Sequence, residues 1–196
     1  SNGKAVVNIN LESNKLDYKL TYEVININNE IKKKFKSDEK NISQNLITKI
    51  IKFIWLSPSM DNIMYEGKSI KRKFLDKLIS QYNLKFVTAL NEYKTLSNER
   101  IKLLNEKKND SWLNILESKI SKILYDIYIA RRSYATLINE ISAKELFNFR
   151  KFIIKYKLPF EAEIKNKEIC LKIIEKTILN NRSIDSLSKR NTFGIN

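Results

Sequence analysis

The side chains best suited to chemistry are three consecutive cations, Lys71, Arg72 and Lys73, which follow a lone glycine, Gly67. They lie at the start of a predicted helix, and the apolar residues directly after them indicate that one face of this helix packs into a core. Exposed N–H groups at a helix start attract the same anions as cationic side chains do. The cluster is therefore a candidate phosphate contact, and the alternative is an ordinary solvated basic face.

Two further adjacent cations, Arg131 and Arg132, lie in the longest predicted helix and are also candidate phosphate contacts. Arginine is the sharper indication, because its planar fork matches phosphate geometry in a way that lysine does not. The chain has 37 Lys and Arg against 22 Asp and Glu, a net charge of +15, yet only seven of these cations are Arg. The surplus therefore indicates either nucleic-acid binding or the codon bias of an AT-rich genome.

Composition excludes several catalytic chemistries. The chain has no His, which rules out Ser-His-Asp and Cys-His catalysis and a His-built zinc site. Gly67-Lys68-Ser69 imitates the end of a Walker A loop, but Asn62 stands where that loop needs its first glycine. The carboxylates show no paired spacing that would suit general acid–base work. We therefore expect no catalytic residue, no cofactor and no metal site within these 196 residues.

The other polar candidates are interpreted as ordinary structure. Glu99 with Arg100, and Asp126 with Arg131, are interpreted as solvated charges. Cys170 lies among apolar neighbours, which favours a packed thiol over a nucleophile. A single Cys cannot form an internal disulfide, which suits a reducing compartment.

The elements that must position these residues begin with strands. Alternating apolar and polar residues predict strands over 4–12, 16–27 and 30–35, the first two as an antiparallel hairpin. The lysines of the third strand are interpreted as guards of a sheet edge. A short helix over 43–49 and a buried strand over 51–56 are predicted to follow.

Helical periodicity takes over after the strands. Helices are predicted over 69–81 and 85–106, and a third begins at the N-cap pair Asp110-Ser111. The apolar residues of the third helix recur at alternating steps of three and four: Leu113, Leu116, Ile120, Ile123, Ile127, Ala130, Tyr134, Leu137 and Ile141. This heptad seam and the short link before it predict two long antiparallel helices, an arm of roughly 40 Å.

The last third of the chain mixes both patterns. We predict a helix over 145–156, a returning strand over 158–164, a helix over 169–179 and a polar tail. The predicted fold class is α+β and mostly helical, with a small antiparallel sheet and a long antiparallel helical arm.

The stretch around the basic cluster resembles the RecF recombination-repair family. The family pattern there is a strand that ends in Ser/Thr-Pro, then a Gly, then Arg-Arg-x-Phe-Leu-Asp. The residues that carry the resemblance are Trp55, Pro58, Gly67, Arg72, Phe74, Leu75, Asp76 and, in a later helix, Arg100. Near the end, Arg182, Asp185 and Gly194 resemble the stretch that leads to the family's Gly-Pro-His-Arg motif.

The resemblance implies the middle of a longer chain, with an ATPase head of the ABC/SMC type and an inserted helical arm. Residues 1–57 would be part of the head, 58–157 the arm, and 158–196 a return towards the head. The Walker A loop would precede residue 1, and the signature loop and Walker B would follow residue 196. ATP and Mg would then belong to the longer chain, which would be an ATPase.

The resemblance further implies a cytoplasmic protein of DNA replication, recombination, repair and the SOS response. It would bind double-stranded DNA or ds/ss junctions in an ATP-dependent manner, form a homodimer, work with a RecR-like partner and aid recombinase loading at gaps or junctions. No membrane partner is expected, because the longest apolar run, 50–56, is far shorter than the ~20 residues of a membrane helix. The alternative is a structural, dimer-forming helical arm without a role in DNA binding.

Overall fold

The computed structural model describes residues 3–11, 17–27, 30–43, 46–47, 62–63, 65–106, 110–144, 153–158, 160–163 and 165–192. They fall into two compact units, Ser1–Leu56 and Ser57–Asn196. The strand predicted over 51–56 and the motif residues Trp55 and Pro58 lie outside the described residues, as does most of the helix predicted over 43–49.

Within the described residues, the first unit holds an antiparallel sheet whose strands follow chain order: β1 Gly3–Leu11, β2 Tyr18–Ile27, β3 Glu30–Ser37 and β4 Lys40–Ile42. The three predicted strands are confirmed, whereas β4 was not predicted. The turn before β4 places Asp38 and Glu39 at positive φ, 47° and 68°. Two-residue hairpin turns need such values and usually signal themselves by glycine, which this turn lacks.

One face of this sheet is apolar. Leu20 is buried there, and the ring of Tyr22 stacks on that of Phe35 with centroids 4.7 Å apart. The partners follow from the register, which pairs Tyr22 with Phe35 across β2 and β3. Because side chains alternate between the faces of a strand, the period-two pattern of the sequence specifies which residues share this face.

The second unit is built from helices: α1 Lys68–Tyr82, α2 Leu84–Glu106, α3 Asp110–Ala143, α4 Lys167–Asn180 and α5 Arg182–Ser188. The helices predicted over 69–81, 85–106 and 169–179 are confirmed to within two residues at each end, and the short polar α5 was not predicted. None of the described helices combines the length and the apolar character that crossing a bilayer requires.

Helices α2 and α3 run antiparallel, as the short link predicts. The Nζ of Lys119 lies 2.9 Å from the Oε1 of Glu92, and the Nε1 of Trp112 donates to the Oε1 of Glu99 at 3.2 Å. The heptad seam of α3 is buried only in its first half. Its last members, Leu137 and Ile141, are each 48% exposed, which corrects the prediction of a continuous buried seam.

A second heptad-spaced row on α3 is also buried, and it is partly polar: Glu117, Ser121, Leu124, Tyr128, Arg131 and Ala135. A straight helix drifts by ~20° per heptad relative to a 3.5-residue repeat, so a long helix turns new residues towards its neighbours. Helices α1 and α4, in addition to α2, pack against α3. The two long helices are therefore part of a multi-helix core, and not the isolated pair that the seam alone predicts.

The strand predicted over 158–164 is wrong. The chain there makes a turn and a 3-10 helix, Glu161–Glu163, in which the Oε2 of Glu161 accepts from the N–H of Leu158 at 3.0 Å. Phe160 is fully buried, with its ring 5.9 Å from those of both Tyr125 and Tyr128. We attribute the local conformation to the burial of this aromatic side chain, which outweighs the alternation of apolar and polar residues.

Leu124 and Leu137 provide a matched test of this packing, since both lie on α3 but only Leu124 is fully buried. Leu124→Ala should lower the free energy of unfolding by about 2–5 kcal/mol because it opens a cavity. Leu137→Ala should change it by less than about 1 kcal/mol. Urea unfolding followed by far-UV circular dichroism measures both, and equal losses would contradict the packing described.

Candidate nucleic-acid interface

A buried arginine connects α1, α3 and the segment before the 3-10 helix. The Nε and Nη2 of Arg131 donate to the two carboxylate oxygens of Asp76, each at 2.7 Å. The Nη1 of Arg131 donates to the hydroxyl of Tyr156 at 3.2 Å. The Arg131 side chain has no exposed surface. We call Asp76, Arg131 and Tyr156 the Arg131 cluster.

The electrostatics of the Arg131 cluster keep the guanidinium charged. Burial by itself would lower the pKa of Arg131, but the hydrogen bonds that Arg131 donates to Asp76 and the neighbouring negative charge outweigh burial and raise it. A bidentate, charge-assisted pair is the strongest arrangement of these two groups. The pair therefore holds the middle of α1 against α3.

Arg131 consequently has a different role from the one predicted for it. Its donors are committed to Asp76 and Tyr156, and no surface of it faces solvent, so this arrangement excludes the phosphate contact proposed from the sequence. The interpretation of Asp126 and Arg131 as a solvated pair is also wrong for Arg131, whereas Asp126 is exposed. The family-motif residue Asp76 is a partner for a buried charge.

A second buried arginine, Arg100, joins α2 to α3 and to the end of the chain. Its Nε donates to the Oε1 of Glu117 at 2.7 Å, and its Nη1 donates to the Oδ2 of Asp185 at 2.6 Å and to the Oδ1 of Asn191 at 2.9 Å. Its Nη2 donates to the carbonyl oxygen of Ile178 at 3.0 Å. Arg100 and Asp185 are both fully buried. These five residues are the Arg100 cluster.

The two carboxylates of the Arg100 cluster recruit a second layer of donors. Arg182 donates from its Nη2 to the Oε2 of Glu117 at 2.6 Å. Asp185 accepts from both the backbone N–H and the hydroxyl of Thr192 at 2.6 Å. Glu117 is thus shared by two guanidinium groups. The predicted solvated pair of Glu99 and Arg100 is therefore wrong for Arg100.

Sequence reasoning missed Glu117 and Tyr156 as partners of these arginines. Glu117 lies in the second heptad-spaced row of α3, and a charged residue at the position of a buried row is the signal that could have identified it. Tyr156 ends the helix predicted over 145–156, but the described residues 153–158 are neither helix nor strand, so that prediction is wrong there, and nothing in the local pattern marks Tyr156 as a partner of Arg131. Arg182 and Asp185 were noticed only through the family resemblance.

Two of the three cations at the start of α1 remain at the surface. Lys71 and Lys73 are exposed and Arg72 is partly buried, while Leu75 faces the core. Gly67 is the N-cap of α1, its φ of −65° and ψ of 161° are open to any residue, and the first turn of the helix contains no acidic side chain. The Asp76–Arg131 pair fixes this helix from its buried side.

Arg132 occupies an intermediate position. Its Nη1 lies 3.0 Å from the Oε1 of Glu161, and the side chain of Arg132 is 37% exposed. A phosphate would have to compete with Glu161 for this guanidinium. Exposed ion pairs of this kind contribute only about 0–1 kcal/mol, so replacing Glu161 by a phosphate as the partner of Arg132 would cost little free energy.

Cys170 behaves as the packed thiol that the sequence indicates. It is fully buried on α4, and its Sγ donates to the carbonyl oxygen of Glu163 at 3.1 Å. Burial raises the pKa of the Cys170 thiol. A thiol with a raised pKa is a poor nucleophile, because the thiolate is the reactive form.

Comparisons with known proteins identify the fold. A solved structure described as the recombination mediator protein RecF-ATPrS in the RecFOR pathway superposes with a TM-score of 0.78, covering 98% of this chain and 53% of that one at 18% identity. A second, described as RecF-ATP in the same pathway, gives a TM-score of 0.71 over 91% of this chain and 50% of that one, also at 18% identity. The fold is therefore mostly helical α+β with a small antiparallel sheet, and it matches these RecF structures.

Sequence relatives agree with the fold. The DNA replication and repair protein RecF of Rickettsia conorii is 31% identical over 162 residues, and that of Rickettsia canadensis is 29% identical over 164 residues. Each match covers 81% of this chain and 44% of the relative, so the chain spans less than half the length of these proteins. No family model matches the chain. The chain is therefore similar to RecF proteins over 81% of its length and corresponds to a part of such a protein.

The Asp76–Arg131 pair makes a direct prediction for stability. Asp76→Asn leaves a buried guanidinium without its counter-charge and should lower the free energy of unfolding by about 3–5 kcal/mol. The double variant Asp76→Leu with Arg131→Met removes both charges and should lose much less. Urea unfolding measures both variants. Arg132→Gln, next along α3, is the control for an exposed pair and should cost less than about 1 kcal/mol; a cost equal to that of Asp76→Asn would contradict the assignment.

Proposed function

We propose that this chain supplies the arm and part of the head of a RecF-type protein that binds DNA and acts as a recombination mediator in replication and repair. The observation that carries the proposal is the relation to RecF over 81% of the chain, together with a RecF-like fold over 98% of it. We further propose that the binding depends on ATP and aids recombinase loading at gaps or at junctions of double- and single-stranded DNA.

Within the proposal, the cations divide into two classes. Lys71 and Lys73 contact phosphates from the exposed side of α1, the partly buried Arg72 between them contributes a further cation, and Arg132 adds one from α3. Arg131 acts from the buried side, because its pair with Asp76 sets the position of α1 relative to α3. Phosphate contacts of this kind orient a protein on DNA and carry no sequence information.

Nucleotide chemistry is assigned to segments outside these 196 residues. The segment at Gly67 does not fit a phosphate loop, because Asn62 replaces the first glycine and Gly67 itself adopts a conformation open to any residue. We propose that ATP and Mg bind the remaining part of the longer chain, that this longer chain is an ATPase that forms a homodimer in the cytoplasm, and that it works with a RecR-like partner.

The alternative, a dimer-forming arm without a DNA role, has one specific observation in its favour. Leu137 and Ile141 lie four residues apart near the end of α3, continue the heptad seam and are each 48% exposed. A second copy of the arm could cover them. In that case the protein should self-associate, and its binding to DNA should be weak and independent of the α1 cations.

Fluorescence anisotropy with duplex DNA across a salt series tests the proposal. The double variant Lys71→Gln with Lys73→Gln should weaken binding and reduce the slope of log affinity against log salt by about 1.8, since each phosphate contact contributes about 0.9. The matched control is Lys94→Gln with Lys102→Gln, two exposed lysines of α2. Equal effects of the two double variants would reject the α1 site, and light scattering on the same samples would then test self-association.

A further inference from the structure

A second row of cations lies in the first unit, on the face of the sheet opposite to Tyr22 and Phe35. The register pairs Lys32 of β3 with Ile25, Lys34 with Glu23 and Lys36 with Thr21. It also pairs Lys4 of β1 with Ile25 and Asn10 with Lys19. Cross-strand partners share a face of a sheet. One face therefore carries five lysines, Lys4, Lys19, Lys32, Lys34 and Lys36, and we call it the lysine face.

The acidic residues of the lysine face are Glu23 and Glu30. Glu23 is nearly covered and lies 3.2 Å from the Nζ of Lys36 and 3.3 Å from that of Lys4. The hydrogen bond from Lys36 is the main reason why the pKa of Glu23 is lowered. Glu23 thus holds two of the ammonium groups on the face, and Glu30 lies at its end, where β3 begins. Cations outnumber carboxylates here by five to two.

Three of these lysines are the evidence for an external partner. Lys19, Lys32 and Lys34 are exposed. Edge protection, the interpretation drawn from sequence, explains a lysine on either face of β3. It also explains Lys4, because β1 lies at an edge of the described sheet, but it does not explain Lys19 of the interior strand β2. Nor does it explain why Lys4 and Lys19 lie on the same face as Lys32, Lys34 and Lys36. The clustering arises from three strands and is therefore a property of the whole face, and β3 alone does not produce it.

We infer that the lysine face binds the phosphate backbone of double-stranded nucleic acid, as a second contact surface besides α1; the inference rests on the proposed function. Successive lysines on one face of β3 repeat at about 6.8 Å, because a strand rises about 3.4 Å per residue. Such a row presents cations at regular intervals to the regularly spaced charges of a duplex. Asn8 and Thr21 lie on the same face, with the Thr21 hydroxyl donating to the Oδ1 of Asn8 at 3.0 Å. Amide and hydroxyl groups of this kind also bind phosphate and sugar oxygens.

The distribution of aromatic side chains favours a duplex over single strands. The stacked rings of Tyr22 and Phe35 belong to the opposite face. Among its described residues, the lysine face has no aromatic side chain on which an unpaired base could stack. Binding to single strands relies on such stacking, whereas binding to the duplex backbone does not. The face is therefore suited to phosphates and indifferent to base identity.

Strand β3 contains its own matched control. Lys32, Lys33 and Lys34 are consecutive and exposed, but Lys33 pairs with Val24 and lies on the opposite face. Lys32→Gln and Lys34→Gln should each weaken binding of a duplex oligonucleotide severalfold and reduce the salt slope by about 0.9, while Lys33→Gln should leave both unchanged. Anisotropy titrations of the 196-residue chain measure this, with far-UV circular dichroism as the check on folding.

Each other outcome overturns the inference in a distinguishable way. Equal effects of Lys32→Gln and Lys33→Gln would show that net charge alone matters. Unchanged binding by Lys32→Gln and Lys34→Gln, together with loss of binding by the Lys71 and Lys73 double variant, would reject the lysine face and leave the proposed function standing. No loss in any variant would reject both. Tighter binding of single strands or of poly-glutamate than of the duplex would assign the face to another partner.

Discussion

Two guanidinium groups with no access to water determine how the second unit is assembled. Removing an ion from water costs several kcal/mol even after relaxation, and the cost is offset only when opposite charges and hydrogen bonds are well placed. Asp76 supplies both of its oxygens to Arg131, while Glu117 and Asp185 are shared around Arg100. Each cluster joins segments that are distant in sequence, so the need to satisfy both charges constrains how the helices pack.

The cations of the second unit fall into two groups: those buried in ion pairs and those exposed to a ligand. Arg131 and Arg100 are fully buried, whereas Lys71 and Lys73 are exposed. The planar guanidinium suits a fixed bidentate pair, and the flexible, strongly hydrated lysine suits a phosphate backbone that must be bound without sequence preference. The cations behind the net charge of +15 are therefore not all available at the surface, because some of them are buried in ion pairs inside the fold.

Local patterns in the sequence predicted most of the secondary structure. They did not predict the contacts between residues that are distant in sequence. The hairpin of β1 and β2 and helices α1 to α4 follow from periodicity in short windows. The roles of Arg131 and Arg100 do not, because Asp76 lies 55 residues from Arg131 and Asp185 lies 85 residues from Arg100. Lone charges in an amphipathic helix look solvated until the fold brings their partners close. The 3-10 helix at Glu161–Glu163 was missed because burial of Phe160, a tertiary event, outweighs local alternation.

Hydrogen exchange at the arginine Nε–H groups, observed by nuclear magnetic resonance of the 15N-labelled chain, tests the buried charges most directly. Arg100 and Arg131 each donate from Nε to a carboxylate at 2.7 Å, whereas the side chain of Arg132 is 37% exposed. Single Arg→Lys variants assign the signals. The Nε–H groups of Arg100 and Arg131 should exchange with solvent far more slowly than that of Arg132. Exchange of all three at the same fast rate would contradict the two clusters and the positioning of α1 that depends on them.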